Sequence, residues 1–412
     1  MGDGFVDLIK RNPAAWSRTT AMDSGADTLK RKRSRSSGRH GERWAGVPAD
    51  ILGAVLRLLP CFTDRSAARS ACRHWRASAA GLPPPLPLLA APALPKLRVS
   101  CLRPGGTLAA ARLATTAPEG VPAAAGDVVV SYVGSSGAWL AGVASSRDAA
   151  AAAGGGECFL VNAFSHEVVR LPDPRTPEVV SNGRQPPCSL AAWDGAMACL
   201  RRRDDLRSRG DKSCLLPGRG KLYLLRRFAP RLYALQLEED DDHGGVNVSR
   251  VEECVTEPLL PPHPVDRDDP WGCNLAVWRD KLLLIIRYYG SVLRPMRTVC
   301  QVRVLALDFG VNPCGLTEIR SLDGDCIFVD SYGCHSFPAR LHDGVVEGDL
   351  IYFVNRYDNY SYGYFYPPYD AFVYNVRNGA MRPFAAELPP VPFVAPRDRF
   401  RFDLPLWLLP SE

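Results

Sequence analysis

No Cys-x-x-Cys pair occurs among the thirteen cysteines of this 412-residue chain. That absence excludes zinc ribbons, RING fingers and thioredoxin-type sites, which need paired thiols at short spacing. Several cysteines stand inside apolar runs instead, such as Cys158 before Phe159-Leu160-Val161 and Cys326 before Ile327-Phe328-Val329. A thiol there behaves as a small apolar side chain, and the odd, scattered set points to a reducing compartment, cytosol or nucleus. Long apolar segments are missing too. The first twenty residues lack the continuous apolar stretch of a secretory signal. The longest apolar stretch, Leu82–Pro95, holds six prolines, which no membrane helix tolerates. A myristoylation signal is incomplete, because Val6 stands where Ser or Thr is required.

Catalytic signatures are equally scarce. The chain has no Gly-x-Ser-x-Gly elbow, no P-loop and no His-Glu-x-x-His. Gly218-Arg219-Gly220-Lys221 lacks the Ser or Thr of a nucleotide loop. The seven histidines are isolated; His335 precedes His342 by seven residues, but no further ligand follows at a suitable spacing. We therefore expect structural histidines, no metal, no cofactor and no catalytic residue.

Charge is unevenly placed. Of the net charge of +6, five units lie in residues 1–43, where ten Lys/Arg face five acids. The remaining chain is nearly neutral, which speaks against a nucleic-acid-binding body. Residues 1–43 are polar and aperiodic, so they read as a disordered basic tail. Lys30, Arg31, Lys32, Arg33 and Arg35 form a dense run within it. Two readings stand: a nuclear-import signal, giving a nuclear or mixed nuclear and cytoplasmic location, or simply solvated charge.

What the chain does have is 46% apolar residues with 35 Gly and 36 Pro, a composition for a core built from strands and turns. One helical module precedes that body. Pro48 and Asp50 suit a helix start. Ile51, Leu52, Val55, Leu56 and Leu59 then form one stripe at helical spacing, and Pro60 ends it. Thr63 and Asp64 are placed to cap a second helix over Arg65–Cys72, and Trp75 closes the unit. Residues 44–81 are too few to be stable on their own core, so the module needs a partner or the adjoining domain. Residues 82–96 read as a stiff Pro-rich linker or a strap over the next domain.

From residue 97 to 412 the pattern is short strands and turns, a mainly-β domain. Cys188-Ser189-Leu190-Ala191-Ala192-Trp193 recurs as Cys273-Asn274-Leu275-Ala276-Val277-Trp278, each followed by a charged turn and an apolar strand. The offset equals roughly two propeller blades of about 40–50 residues. Twelve or more strands in groups of four favour a β-propeller over a sandwich.

Trp44-Ala45-Gly46-Val47-Pro48-Ala49-Asp50-Ile51-Leu52, the helix to Leu59, Asp64 and Cys72-Arg73-His74-Trp75-Arg76 resemble an F-box, with Val47 where that family usually has Leu. Cys158–Asn162 with Val168–Pro172, Asp325–Val329, Gly348–Phe353 and the ending Pro405–Pro410 resemble the plant family that carries a KIB-type, kelch-like β-propeller behind the F-box. The resemblance implies a substrate-recognition subunit of a Skp–cullin–F-box ubiquitin ligase without catalysis of its own. Its expected partners are a Skp-type adaptor, through it a cullin, and an unidentified target protein. It implies an adaptor-binding set of Val47, Pro48, Ile51, Leu52, Val55, Leu56, Leu59, Cys72 and Trp75.

Tyr357, Tyr360, Tyr362, Tyr364 and Tyr366, with Phe365 and Tyr369, are the densest aromatic cluster in the chain. Tyrosine supplies rigid, amphipathic contact area, so this stretch is the candidate target-binding surface, or else a hairpin packed across the domain. Two other classes compete with the interaction module. A propeller hydrolase would cluster carboxylates in the central channel, and a nuclear nucleic-acid binder would use the basic tail.

Overall fold

The computed structural model describes residues 46–59, 62–79, 82, 85–93, 96–103, 107–111, 128–146, 157–165, 167–170, 190–193, 196–199, 212–216, 221–226, 231–240, 245–254, 271–289, 299–311, 313–330, 333–342, 344–356, 369–383 and 406–410. The chain divides into two compact units, most of the first lying before Pro84 and most of the second after it. No helix among the described residues is long and apolar enough to cross a membrane.

The first unit holds α1 (Ala49–Arg57), α2 (Phe62–Ala71) and α3 (Arg73–Ser78). Pro48 precedes α1, Asp50 lies in its first turn and Arg57 in its last, each suited to the helix dipole. The second helix begins earlier than its sequence suggests. Thr63 and Asp64 fall inside its first turn rather than capping it, because Phe62 is already helical. Cys72, extended at φ −160°, separates α2 from α3.

The second unit is built from β1 (Leu88–Ala93), β2 (Lys96–Arg103), β3 (Thr107–Ala111), β4 (Val128–Ser136), β5 (Trp139–Ser146), β6 (Glu157–Asn162), β7 (Val168–Arg170), β8 (Leu190–Trp193), β9 (Ala196–Cys199), β10 (Lys212–Leu216), β11 (Lys221–Arg226) and β12 (Arg231–Asp240). It continues with β13 (Gly245–Cys254), β14 (Trp271–Trp278), β15 (Lys281–Tyr289), β16 (Val299–Asp308), β17 (Gly315–Glu318), β18 (Asp325–Asp330), β19 (Cys334–Pro338), β20 (Leu350–Arg356), β21 (Tyr369–Asn375), β22 (Met381–Pro383) and β23 (Leu406–Leu408). Among the described residues these strands form six sheets: β23-β1-β2-β3, β4-β5-β6-β7, β8-β9, β10-β11-β12-β13, β14-β15-β16-β17 and β19-β18-β20-β21-β22. The strands β23, β4, β8, β10, β14 and β19 neighbour one another in that order, and β18 returns to β23, so the sheets close a ring.

Among the described residues, apolar cores lie between the first and second, fourth and fifth, fifth and sixth, and sixth and first sheets. On β15, Leu282, Leu284 and Ile286 enter the core shared with the fourth sheet, while Leu283 and Ile285 enter the core shared with the sixth. Both faces are covered, which explains why β15 reads as a continuous apolar run rather than an alternation. The repeated Cys-x-Leu-Ala-x-Trp segments lie on β8 and β14, the first strands of sheets two apart in the ring, as their spacing predicts.

Residues 82–96 are not a linker throughout. Leu88–Ala93 form β1, with Leu88, Leu89 and Ala90 buried. Pro92 is tolerated because it lies beyond the three positions where β23 pairs with this strand, so its missing N–H costs no ladder bond on that side.

Candidate functional site

In the helical unit, Leu52 and Leu56 on α1 are buried, and Leu56 packs with Ala68 of α2 and Ala79 after α3. Leu59, Trp75 and Leu82 pack around this core, half-buried. Two hydrogen bonds join distant parts of the unit. Arg65 Nε donates to the Leu59 carbonyl at 2.7 Å. His74 Nε2 lies 2.6 Å from the Val47 carbonyl. A carbonyl only accepts, so Nε2 carries the proton. This bond ties the Cys-Arg-His-Trp-Arg close of the segment back to its Val-Pro opening.

The outer side of the same helix is apolar and uncovered. Ile51 is 51% exposed, Val55 43% and Leu58 80%, with Pro48 exposed beside them. These positions follow i, i+4 and i+7, one row along a helix. The nine residues of the candidate adaptor set thus separate. Leu52 and Leu56 are core. Val47, Leu59, Cys72 and Trp75 are half-buried, and Pro48, Ile51 and Val55 face outward. Leu58 belongs with the outward row, and its position seven residues after Ile51 was the signal for it.

In the β unit, the fifth and sixth sheets present two contrasting ends. At one end Trp278 Nε1 donates to Asp325 Oδ2 at 2.9 Å, and Arg279 reaches both Asp325 and Asp323 at 3.1 Å. Nearby, Asp349 accepts from Ser321, from the Leu322 N–H and from Arg377. Burial raises the Asp349 carboxyl, but those three donors outweigh it and hold it below its usual value. Arg279, Asp323 and Asp349 all take positive φ here, at 52°, 49° and 62°. Each of these charges already has a partner, so this end is self-satisfied.

The opposite end carries Tyr289, Asp330, Arg356 and Tyr369 at strand termini. Arg356 pairs with Tyr369 as the last rung between β20 and β21, so both ends of the 357–368 segment are anchored at this rim. Tyr357, Tyr360, Tyr362, Tyr364 and Tyr366 themselves lie outside the described residues, as do Lys30, Arg31, Lys32, Arg33 and Arg35. Beneath the rim sits a buried polar group that local sequence pattern does not announce. Asn274, Arg287 and Asp330 are 2%, 0% and 0% exposed. Asn274 Nδ2 donates to the Asp330 carbonyl at 3.0 Å, and Arg287 Nη2 donates to Asn274 Oδ1 at 3.3 Å. The Arg287 guanidinium also lies 5.7 Å from the Phe353 ring centroid and 5.9 Å from that of Tyr289. Gly272 makes room for it, since a Cβ there would stand 2.8 Å from Nη2.

Burial pushes the Cys314 thiol up to about 11 and the Cys326 thiol up to about 12, which suppresses the reactive thiolate. Burial drives the His335 imidazole down to about 4. Among the described residues no three His, Cys, Asp or Glu side chains gather as a metal would require.

Comparison with curated proteins gives no match to the chain. The sequence profile of the KIB1-4 beta-propeller matches residues 115–375, well over half the chain and within the ring of sheets. That span runs from before β4 into β21, so it includes the rim that anchors the tyrosine segment, and the chain belongs to the KIB1-4 beta-propeller family.

Proposed function

We propose that this protein is the substrate-recognition subunit of a Skp–cullin–F-box ubiquitin ligase and has no catalytic activity of its own. In this reading the α1–α3 unit is the F-box. It docks a Skp-type adaptor through Pro48, Ile51, Val55 and Leu58, while Leu52 and Leu56 hold the unit together. The propeller holds a target protein at the rim that anchors residues 357–368. Family membership supports a protein-interaction role for the propeller.

The observation that carries the proposal is the uncovered apolar row on α1. A helix that buries one face against its own unit and leaves Ile, Val and Leu in line on the other is built for a second partner. The bond between His74 and Val47 supports the F-box assignment, because it gives the separated opening and closing motifs one structural purpose. The test is direct. The purified full-length chain, mixed with a recombinant Skp-type adaptor and a cullin, elutes as one complex on size exclusion. Separate elution at micromolar concentrations sinks the proposal.

A further inference from the structure

The strand that completes the first sheet is very short. Leu406, Trp407 and Leu408 pair with β1 at only three positions, Ala90, Leu89 and Leu88. Three rungs ordinarily fray, because so short a pairing is marginal in water. Yet these residues are 2%, 0% and 0% exposed. Trp407 enters the core between the sixth and first sheets, whereas Leu406 and Leu408 enter the core between the first and second. The backbone is also held from both sides. Leu409 N–H donates to the Gly137 carbonyl of the second sheet at 2.9 Å, and Trp407 N–H donates to Asp330 Oδ2 of the sixth at 2.8 Å.

Asp330 has every acceptor committed to a different neighbour. Its Oδ1 accepts the Gly333 N–H at 2.7 Å, its Oδ2 accepts Trp407, and its carbonyl accepts Asn274 of the fifth sheet. We propose that the Asp330 carboxylate is the clasp of the ring. It holds β23 in place, and releasing it opens the seam between β23 and β1 while the fifth sheet stays folded. Only a carboxylate offers acceptors on both oxygens to two N–H groups; an amide of the same shape must aim its NH₂ at one of them. A buried N–H left without an acceptor is strongly disfavoured, so Asp330→Asn releases one of the two backbone segments.

Hydrogen–deuterium exchange on the full-length chain tests this, read on peptides covering 406–410, 86–90 and 282–288. In Asp330→Ala, which removes both side-chain acceptors, the first two exchange at least tenfold faster than in the unmodified protein and the third is unchanged. Asn274→Ala, which removes the bond to the Asp330 carbonyl and the acceptor of Arg287 Nη2 but keeps the Asp330 carboxylate, speeds the first two less. A uniform rise across all three peptides in Asp330→Ala, an unaltered 406–410, or an equal effect of Asn274→Ala on 406–410 overturns the clasp. If Asp330→Ala is not recovered folded, the unmodified protein decides. Residues 406–410 and 86–90 then open together and ahead of 282–288, whereas exchange of 406–410 at the rate of an unprotected peptide overturns the proposal.

Discussion

Replacing Ile51, Val55 and Leu58 together with Ala separates the face of α1 from its core. Their exposures of 51%, 43% and 80% leave well over one full apolar side chain uncovered in the isolated protein. Complete burial of one such side chain is worth about 1.5–3 kcal/mol, so covering this row contributes ~3 kcal/mol to docking. At 1.4 kcal/mol per decade, the triple variant binds the adaptor ~100-fold more weakly. Alanine is the best helix former, so α1 itself persists. Leu52→Ala and Leu56→Ala behave differently. Both side chains are buried, at 1% and 0% exposure, and truncation there costs ~2–5 kcal/mol of stability. For three helices of nine, ten and six residues that loss unfolds the unit. Isothermal titration with the adaptor, paired with helical circular dichroism of the full chain, reads both effects. The reasoning fails if the triple variant titrates like the unmodified protein, or if Leu56→Ala keeps its helical signal while the triple variant loses it.

Three further outcomes are expected. Changing Lys30, Arg31, Lys32, Arg33 and Arg35 to Ala moves a fluorescent fusion out of the nucleus; an unchanged distribution leaves the run as solvated charge. Tyr360, Tyr362 and Tyr364 changed together to Ser leave the melting temperature in place and keep the adaptor bound, while co-purifying target proteins disappear; a drop of several degrees shows that the tyrosines are packed instead. Lowering the pH weakens the fold through His335. Its folded value near 4 lies below the ordinary 6.5, so its contribution is complete above about pH 6.5. The contribution falls by up to ~3 kcal/mol as pH drops toward 4, because the unfolded chain takes up a proton that the buried ring refuses. In urea titrations at pH 7.5 and 4.5, His335→Gln loses less stability than the unmodified protein; equal losses refute the assignment.

The legible and illegible parts of the fold divide along a physical line. Short apolar runs that stop at charged residues, such as Lys221–Arg226 and Leu190–Trp193, are strands where the sequence places them. The repeated Cys-x-Leu-Ala-x-Trp segment announced equivalent strands: β8 and β14 each form a hairpin with the strand that follows, Trp193 opposite Ala196 and Trp278 opposite Lys281. Leu88–Ala93 was obscured because proline punctuation outweighs apolar content in a local reading, whereas its pairing partner arrives from the far end of the chain. On α1 the five-residue stripe was visible, but Ile51 and Leu52 differ by only about 100° around the helix. Composition cannot say which of the two faces its own unit. The Asp330–Trp407 bond spans 77 residues and has no periodic trace at all.

The distance in sequence between β1 and β23 also governs how the protein is made. β1 emerges from the ribosome well before its inner neighbour Leu406–Leu408. Until that strand is made, Leu88, Leu89 and Ala90 wait with one strand edge unpaired. Such an edge attracts other chains, and non-local pairings of this kind form slowly. The nascent protein is therefore exposed to chaperones and to aggregation for the whole time between the two strands. A ribosome that stalls between Pro383 and Leu406 releases a product with β1 to β22 present and its first sheet still open, a form that quality control can tell from the finished one by that edge.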